Sequence, residues 1–245
     1  MTDATTAHTY LSELASRMNA LFSANAEAIS AAAAAIELAA KNDGLVYIFG
    51  TGHSHMLAEE AHYRAGGLAL TVPILATATM LHEGAIASTT FERMTGIVQP
   101  IFDRYPISEK DVLFVISNSG VNAVPVEAAR IGKALGATVI AITSQIYSRE
   151  AARGRARLAD IADIVLDNGA PSGDATTAIP GSELKVGPVS TSIGAALLNA
   201  VLVEAAARLQ SSGEGAPIYL SANMPGATEN NIALVKRYKP RNPHL

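Results

Sequence analysis

No cysteine occurs among the 245 residues of the chain. Disulfide bonds, thiolate nucleophiles and cysteine-ligated zinc sites are therefore excluded. Because redox chemistry then gives no information on the cellular compartment, the location of the protein has to be judged from targeting signals.

An excess of positive charge is missing as well. The chain has 18 Lys and Arg residues against 22 Asp and Glu residues, which gives a formal net charge of −4. It contains no basic stripe of the kind that binding to a phosphate backbone requires. We therefore expect no nucleic acid partner.

Targeting and membrane-spanning segments are the third absence. Residues Met1 to Ala4 do not form a basic segment that leads into an apolar one. No stretch of about 18 uncharged apolar residues follows. We therefore expect a cytoplasmic protein with no membrane association. Since 49% of the residues are hydrophobic, the chain can bury a full core, and we expect one domain over residues 1–245.

Short hydrophobic runs alternate with helical patterns along the chain. The runs typical of buried strands are 45–49, 69–75, 111–116, 138–143 and 161–166. Helical patterns cover 8–41, 53–65, 123–135, 149–158 and 190–210, and a tail follows at 211–245. This alternation predicts an α/β fold with a parallel, doubly wound sheet. The glycine- and proline-rich segment 168–189 is predicted to be a long functional loop.

Two polar loops each follow a predicted strand. The first is Gly-Thr-Gly-His-Ser-His at 50–55, and the second is Ser-Asn-Ser-Gly at 117–120. Loops at the carboxyl ends of neighbouring parallel strands converge on one crevice, where glycine permits close approach and Ser and Asn supply neutral donors. The loops predict a site for a small phosphorylated metabolite. The same residue types also cap helices, so this structural interpretation stays open.

Three segments in order resemble the SIS (sugar isomerase) domain: the two loops and Lys-Val-Gly-Pro-Val-Ser-Thr at 185–191, which opens a long helix. The resemblance covers about residues 35–210. The chain is most similar to a stand-alone group labelled phosphoheptose isomerases, in which GTGHSHMLAEE, SNSG and KVGPVST recur. The resemblance implies a three-layer αβα sandwich with a five-stranded parallel sheet in flavodoxin-like order. It also implies a homodimer or homotetramer with shared active sites and a phosphosugar at the strand ends.

The predicted substrate contacts follow from these segments. The resemblance implies contacts from the first loop at Ser54 and from the second loop at Ser117 and its neighbours. Ser190 and Thr191 either line the sugar site or cap the last helix. The full predicted set is Gly52, His53, Ser54, Ser117, Asn118, Ser119, Asn122, Ser190 and Thr191.

Sugar isomerisation needs a base that moves a proton between C1 and C2, and a group that opens the ring. Glu83 is the first candidate for the base and Glu60 the second. His82 is the candidate for ring opening, and His55 is a further residue of the same site. Lys185 is a candidate for neutralising the enediolate or a second anionic group, and a Glu that stands at its place in amino-sugar isomerase domains is absent here.

No metal and no cofactor are expected. Glu60 falls near the place where phosphoheptose isomerases have a metal-binding His, and the chain has no H-E-x-x-H spacing. A zinc site of the family type is therefore not predicted.

Three functional classes remain open at this point. The leading one is a cofactor-independent aldose–ketose isomerase that acts on a sugar phosphate through an enediolate. The second is an etherase or lyase on a phosphorylated N-acetyl amino sugar acid, whose reaction also begins at the C2 proton and for which Glu60 and Glu83 would serve as opposed carboxylates. The third is a non-catalytic phosphosugar-binding or regulatory subunit. In each class the partner is a small anionic sugar.

Overall fold

A computed structural model describes residues 5–245 of the chain. Residues 1–4, on which part of the targeting expectation rests, lie outside the described residues. Five parallel strands form the central sheet, and their bounds are β1 Val46–Gly50, β2 Thr71–Ile74, β3 Val112–Ile116, β4 Thr138–Thr143 and β5 Ile164–Asp167. The strand order is β2-β1-β3-β4-β5. The predicted α/β class, the parallel sheet and its flavodoxin-like order are confirmed.

Nine α-helices accompany the sheet in the described range 5–245. They are α1 Thr6–Ala24, α2 Ala26–Lys41, α3 Met56–Ala61, α4 Ala85–Phe91, α5 Val98–Phe102, α6 Ala123–Ala134, α7 Gln145–Ala152, α8 Ser190–Ser211 and α9 Ala227–Tyr238. Helix α8 packs on α2 and on α3, whereas α5 packs on α6. Right-handed crossovers place these two groups on opposite faces of the sheet. Because both faces are covered, every residue of β1 and β3 is buried, which explains their unbroken apolar runs.

The structure differs from the sequence prediction at several segments, among them α4 and α5, for which no helix was predicted. Helix α7 begins at Gln145, where the hydroxyl of Ser144 accepts a hydrogen bond from the Tyr147 amide, and it ends at Ala152, so it overlaps only the first part of the predicted range 149–158. The segment 168–189 contains an antiparallel hairpin, β6 Ala175–Ala178 and β7 Lys185–Pro188. The tail, for which no element was predicted, contains α9.

Helix α8 is long and apolar enough to cross a membrane by length and composition, and the bent pair of α1 and α2 passes the same test when taken together. In the fold, α8 packs against α2 and α3. It buries Ile193, Leu197 and Val201 among its core residues. Its apolar composition is therefore that of a helix covering the sheet.

Acid is expected to destabilise the fold through a pair of histidines, His62 and His244. Their rings lie 6.2 Å apart, and His244 Nε2 lies 2.9 Å from the hydroxyl of Tyr105. Burial lowers the pKa of His62 below its usual 6.5. Burial and then the charge of His62 lower the pKa of His244. The unfolded chain therefore binds more protons than the folded chain just below pH 6.5, so the free energy of unfolding falls as the pH decreases through this window.

Urea unfolding between about pH 8 and pH 5 measures this slope. We expect His244→Gln to flatten it and the exposed control His8→Gln to leave it unchanged. Equal slopes in both variants would contradict the assignment.

Candidate ligand-binding cleft

A polar cleft of about 590 Å³ opens at the carboxyl ends of the strands. Its wall is formed by the first loop after β1, the second loop after β3, the end of α4 and the start of α8. The structure brings all of the predicted substrate-binding residues into this wall, namely Gly52, His53, Ser54, Ser117, Asn118, Ser119, Asn122, Ser190 and Thr191.

The first loop turns sharply after β1. Residues Gly52–His55 form a single 3-10 turn, and Gly52 has a φ of +52°. Gly50 permits this turn, because an added Cβ would lie 2.5 Å from the carbonyl oxygen of Ser54. His53 and Ser54 face the cleft, and no hydrogen bond from the hydroxyl of Ser54 to the described part of the chain is found.

The second loop is held by hydrogen bonds from the end of the neighbouring strand β4. The carbonyl oxygen of Asn118 accepts hydrogen bonds from the Ser144 amide and the Thr143 hydroxyl. The hydroxyl of Ser117 accepts one from the Gly120 amide at 3.2 Å. The hydroxyl of Ser119 has no partner within residues 5–245. The loop is therefore rigid and offers at least one unused hydroxyl to a ligand.

Replacing Gly120 with alanine is expected to displace this loop. Gly120 has a φ of +61°, and an added Cβ would lie 2.8 Å from the Thr143 hydroxyl oxygen. The left-handed backbone costs about 1 kcal/mol for a residue with a side chain, and the clash costs about 1–2 kcal/mol more. Urea unfolding and ligand-induced thermal shift measure the two effects.

Gly154→Ala is the matched control for this change. Gly154 also has a positive φ, +83°, but an added Cβ would contact nothing within 4 Å. The control is expected to lose stability without losing ligand binding. If both variants retain binding equally, the second loop does not contact the ligand.

A carboxylate, Glu92, lies in the cleft beside both loops. Its oxygens accept hydrogen bonds from the Thr51 hydroxyl at 2.9 Å and from the Asn122 side-chain amide at 2.6 Å. Its side chain is only 20% exposed. Arg93, which also lines the cleft, places its guanidinium 3.4 Å from the same carboxylate. The site thus contains a fixed acceptor and a cation.

Glu92 and Arg93 are absent from the sequence prediction. They follow directly on α4, a helix without motif or strong periodicity, and they come close to the two loops only in the folded chain. The one indication in the sequence was their position between the second and third strands, since a connection between parallel strands begins at the carboxyl end of the sheet, where the cleft lies.

The third wall begins at α8. The carboxylate of Asp174 accepts hydrogen bonds from the Val189 amide at 3.1 Å, the Ser190 amide at 2.8 Å and the Ser190 hydroxyl at 2.6 Å. Asp174 therefore caps α8, and the hydroxyl of Ser190 donates its hydrogen bond to this carboxylate. Thr191 lines the cleft, and no hydrogen bond from its side chain to another described residue is found.

The predicted catalytic residues lie outside the lining of the cleft. Glu83 and His82 lie in an exposed loop. The residues that flank this loop, Leu81 and Ala85, line the wall of the cleft, whereas Glu83 and His82 do not. Lys185 lies at the exposed start of β7.

His55 and Glu60, the other two predicted catalytic residues, point elsewhere. The buried His55 contacts the carbonyl oxygen of Gly52 through Nδ1. Glu60 pairs with Arg64, and it accepts a hydrogen bond from Asn199 of α8 at 3.3 Å. Because the carboxylate of Glu60 is engaged there, the residues present do not fit a zinc site of the phosphoheptose isomerase type.

This sheet order, with a polar cleft at the ends of β1 and β3, defines an α/β domain whose crevice lies at the carboxyl ends of its parallel strands, where such folds bind ligands. The profile of the SIS domain family matches residues 9–144. The chain belongs to the SIS domain family and, within it, to the UPF0309 proteins. A UPF0309 protein of Brucella canis is 58% identical over 236 residues, which cover 96% of this chain and 97% of that protein.

Solved structures extend the comparison to the fold. Phosphoheptose isomerase GmhA from Neisseria gonorrhoeae has a TM-score of 0.53 at 17% identity, with 80% of this chain and 95% of that chain covered. A phosphoheptose isomerase from Francisella tularensis has a TM-score of 0.52 at 20% identity, with 84% and 98% covered. At these identities the likeness concerns the fold, and it agrees with the resemblance read from the sequence.

Proposed function

We propose that the chain binds a sugar phosphate in this cleft and interconverts its aldose and ketose forms. The observation that carries the proposal is the position of Glu92, a carboxylate fixed by two hydrogen bonds between two loops rich in unused donors. The phosphoheptose isomerases that share the fold act on phosphorylated sugars, as their names state, and this supports the same substrate class.

The anionic end of the substrate is proposed to lie between the two loops. The hydroxyls of Ser54 and Ser119 are free to donate, and the guanidinium of Arg93 supplies positive charge at the same wall. A charge-assisted hydrogen bond from Arg to phosphate is about twice as strong as a neutral one. The phosphate is therefore expected to provide most of the binding free energy.

Glu92 is proposed as the base. It removes the proton from C2 of the open-chain aldose, and the electron pair of the C2–H bond moves toward the C1 carbonyl to give an enediolate. Return of the proton to C1, with transfer of the O2 hydroxyl proton to O1, gives the ketose. Thr51 and Asn122 hold the carboxylate in one orientation, and the imidazole of His53 in the cleft is the candidate for opening the ring. Glu83 and Glu60, the bases expected from sequence, remain the alternatives to test.

The carboxylates of the cleft favour isomerisation over ether cleavage. Two opposed carboxylates would suit elimination of a sugar-acid ether. Of the two that line the cleft within residues 5–245, Asp174 is used by three hydrogen bonds at the start of α8. Glu92 also accepts two hydrogen bonds, but it lies between the two loops where the substrate is proposed to bind, so it is the carboxylate proposed to move a proton.

We also propose that the protein acts in the cytoplasm as a homodimer or homotetramer. Helix α1 supports assembly, because none of its residues is buried within one chain and Leu11 is 61% exposed. A second copy would cover this face. Light scattering of the purified protein measures the mass directly, and a monomer would contradict the proposal.

A ligand screen followed by proton exchange tests the function. Phosphorylated aldoses, ketoses and N-acetyl amino sugars are added to the purified protein, and the melting temperature is recorded. A ligand at 100 times its Kd adds about 2.7 kcal/mol to the free energy of unfolding. We expect one sugar class to raise the melting temperature and Ser119→Ala to reduce this shift.

The sugar that binds is then incubated with the enzyme in D2O. Loss of the C2 proton signal of an aldose, or of one C1 proton signal of a ketose, in the NMR spectrum shows formation of the enediolate, whichever isomer is favoured at equilibrium. Binding without exchange would instead support a non-catalytic subunit. Absence of binding by any phosphorylated sugar would contradict the proposal as a whole.

A further inference from the structure

A cluster of three side chains lies beside the first loop but outside the lining of the cleft. His55, Glu59 and His82 each offer one ligand atom, and these atoms all lie within 4.8 Å of one another. His55 Nε2 is 3.7 Å from a carboxylate oxygen of Glu59, and the two imidazole rings are 5.3 Å apart. Two imidazoles and a carboxylate therefore share one small volume.

The local structure explains how these residues meet. His55 ends the 3-10 turn after β1, and Glu59 lies one helical turn later, so their side chains share a face. His82 comes from the loop that follows β2, which neighbours β1 in the sheet. The cluster thus joins the ends of two adjacent strands.

The orientation of His55 is fixed. Its side chain is only 4% exposed, and its Nδ1 contacts the carbonyl oxygen of Gly52. A carbonyl oxygen only accepts, so Nδ1 carries a proton in this contact, and in the neutral ring Nε2 then has the lone pair that a metal requires. Metal-binding histidines commonly have this arrangement, with the second ring nitrogen donating to a backbone carbonyl.

The spacing suits a metal better than a hydrogen bond. The 3.7 Å between Nε2 and the carboxylate exceeds the length of a hydrogen bond. Two ligands of a tetrahedral zinc ion, each at about 2.0–2.1 Å, are separated by about 3.4 Å. A small movement of the exposed His82 and Glu59 side chains would complete such a site.

We propose that His55, Glu59 and His82 bind one divalent transition-metal ion, zinc or a metal of similar preference. Two imidazoles and one carboxylate leave a coordination position open, as in three-ligand zinc sites. Glu60, whose position the resemblance associates with a metal, is not among these ligands, because it is paired with Arg64. The ion would fasten the loop that carries Leu81 to the loop that carries Ser54, both of which line the cleft. This inference does not depend on the proposed isomerase activity.

Zinc binding to the full chain tests the site. The protein is stripped with a chelator and titrated with zinc by calorimetry, and its melting temperature is recorded with and without the ion. We expect one zinc per chain and a raised melting temperature. Magnesium and calcium are expected not to compete, because imidazole ligands disfavour hard cations.

Adjacent residues supply matched variants. Glu59→Gln and His82→Gln change exposed ligands and are expected to weaken zinc binding by about 100-fold or more, at least the effect of losing an outer partner of a metal ligand. Glu60→Gln and His53→Gln change the same residue types one or two positions from a ligand and are expected to retain it. No stoichiometric binding, or binding that all four variants share, would overturn the proposal.

Discussion

Replacing Glu92 with glutamine is expected to abolish exchange of the sugar's C2 proton while leaving sugar binding intact. Glutamine has nearly the same shape, and its amide retains both contacts: the Thr51 hydroxyl turns to accept from the new NH2 group, and Asn122 donates to the remaining oxygen. The side chain loses its basicity together with the negative charge that faces the guanidinium of Arg93 at 3.4 Å. General base catalysis contributes about 10²–10⁴-fold, so proton exchange should fall by about that factor.

The control for this experiment is the base predicted from the sequence. Glu83→Gln changes an exposed carboxylate in the loop next to the cleft, whose side chain does not line the wall. We expect Glu83→Gln to retain exchange and Glu92→Gln to lose it, with equal thermal shifts on addition of the sugar phosphate. The opposite pattern would return the role of base to Glu83, and loss in both would show that two carboxylates are needed.

The parts of the site that follow a strand directly could be predicted from the sequence. The apolar runs before 50–55 and 117–120 are buried on both faces, so the extent of each strand and the place where it ends are visible in the sequence. Once the strands are parallel and adjacent, their loops must meet. The wall that includes Ser54, Ser119 and Asn122 follows from this reasoning.

The carboxylate of the cleft could not be predicted in this way. Glu92 contacts Asn122 across 30 positions of sequence, and its place depends on how the short helix α4 turns. From the sequence, the base was instead predicted among acidic residues that lie nearer to the first loop along the chain. Glu60 lies on the face of α3 that meets Asn199 of α8, because α3 packs on α8. Glu60 was predicted in the site because it is close to the first loop in sequence. In the structure its side chain points away from the cleft, because it lies on the face of α3 that packs on α8.

The ends of the strands opposite the cleft contain the residue whose loss should cost the most stability. The side chain of Asp111 is fully buried just before β3. It accepts hydrogen bonds from the Leu45 amide at 2.7 Å and from the Ser108 amide at 2.7 Å. Arg241, which follows α9, donates to it at 2.7 Å. One carboxylate therefore joins β1, β3 and the C-terminal segment.

Replacing Asp111 with alanine is expected to lower the free energy of unfolding by about 3–5 kcal/mol, since removing one partner of a buried charged network leaves the others unpaired. Asp163→Ala is the matched control: it also precedes a strand and accepts from a backbone amide, that of Val139 at 2.9 Å, but its side chain is 36% exposed. Water replaces its contacts, and a loss of about 1 kcal/mol is expected. Urea unfolding of both variants measures the two losses. Similar losses would mean that burial does not set the contribution of Asp111 to the free energy of unfolding. A large difference would place the main polar support of the fold at the amino ends of the strands, opposite the candidate site.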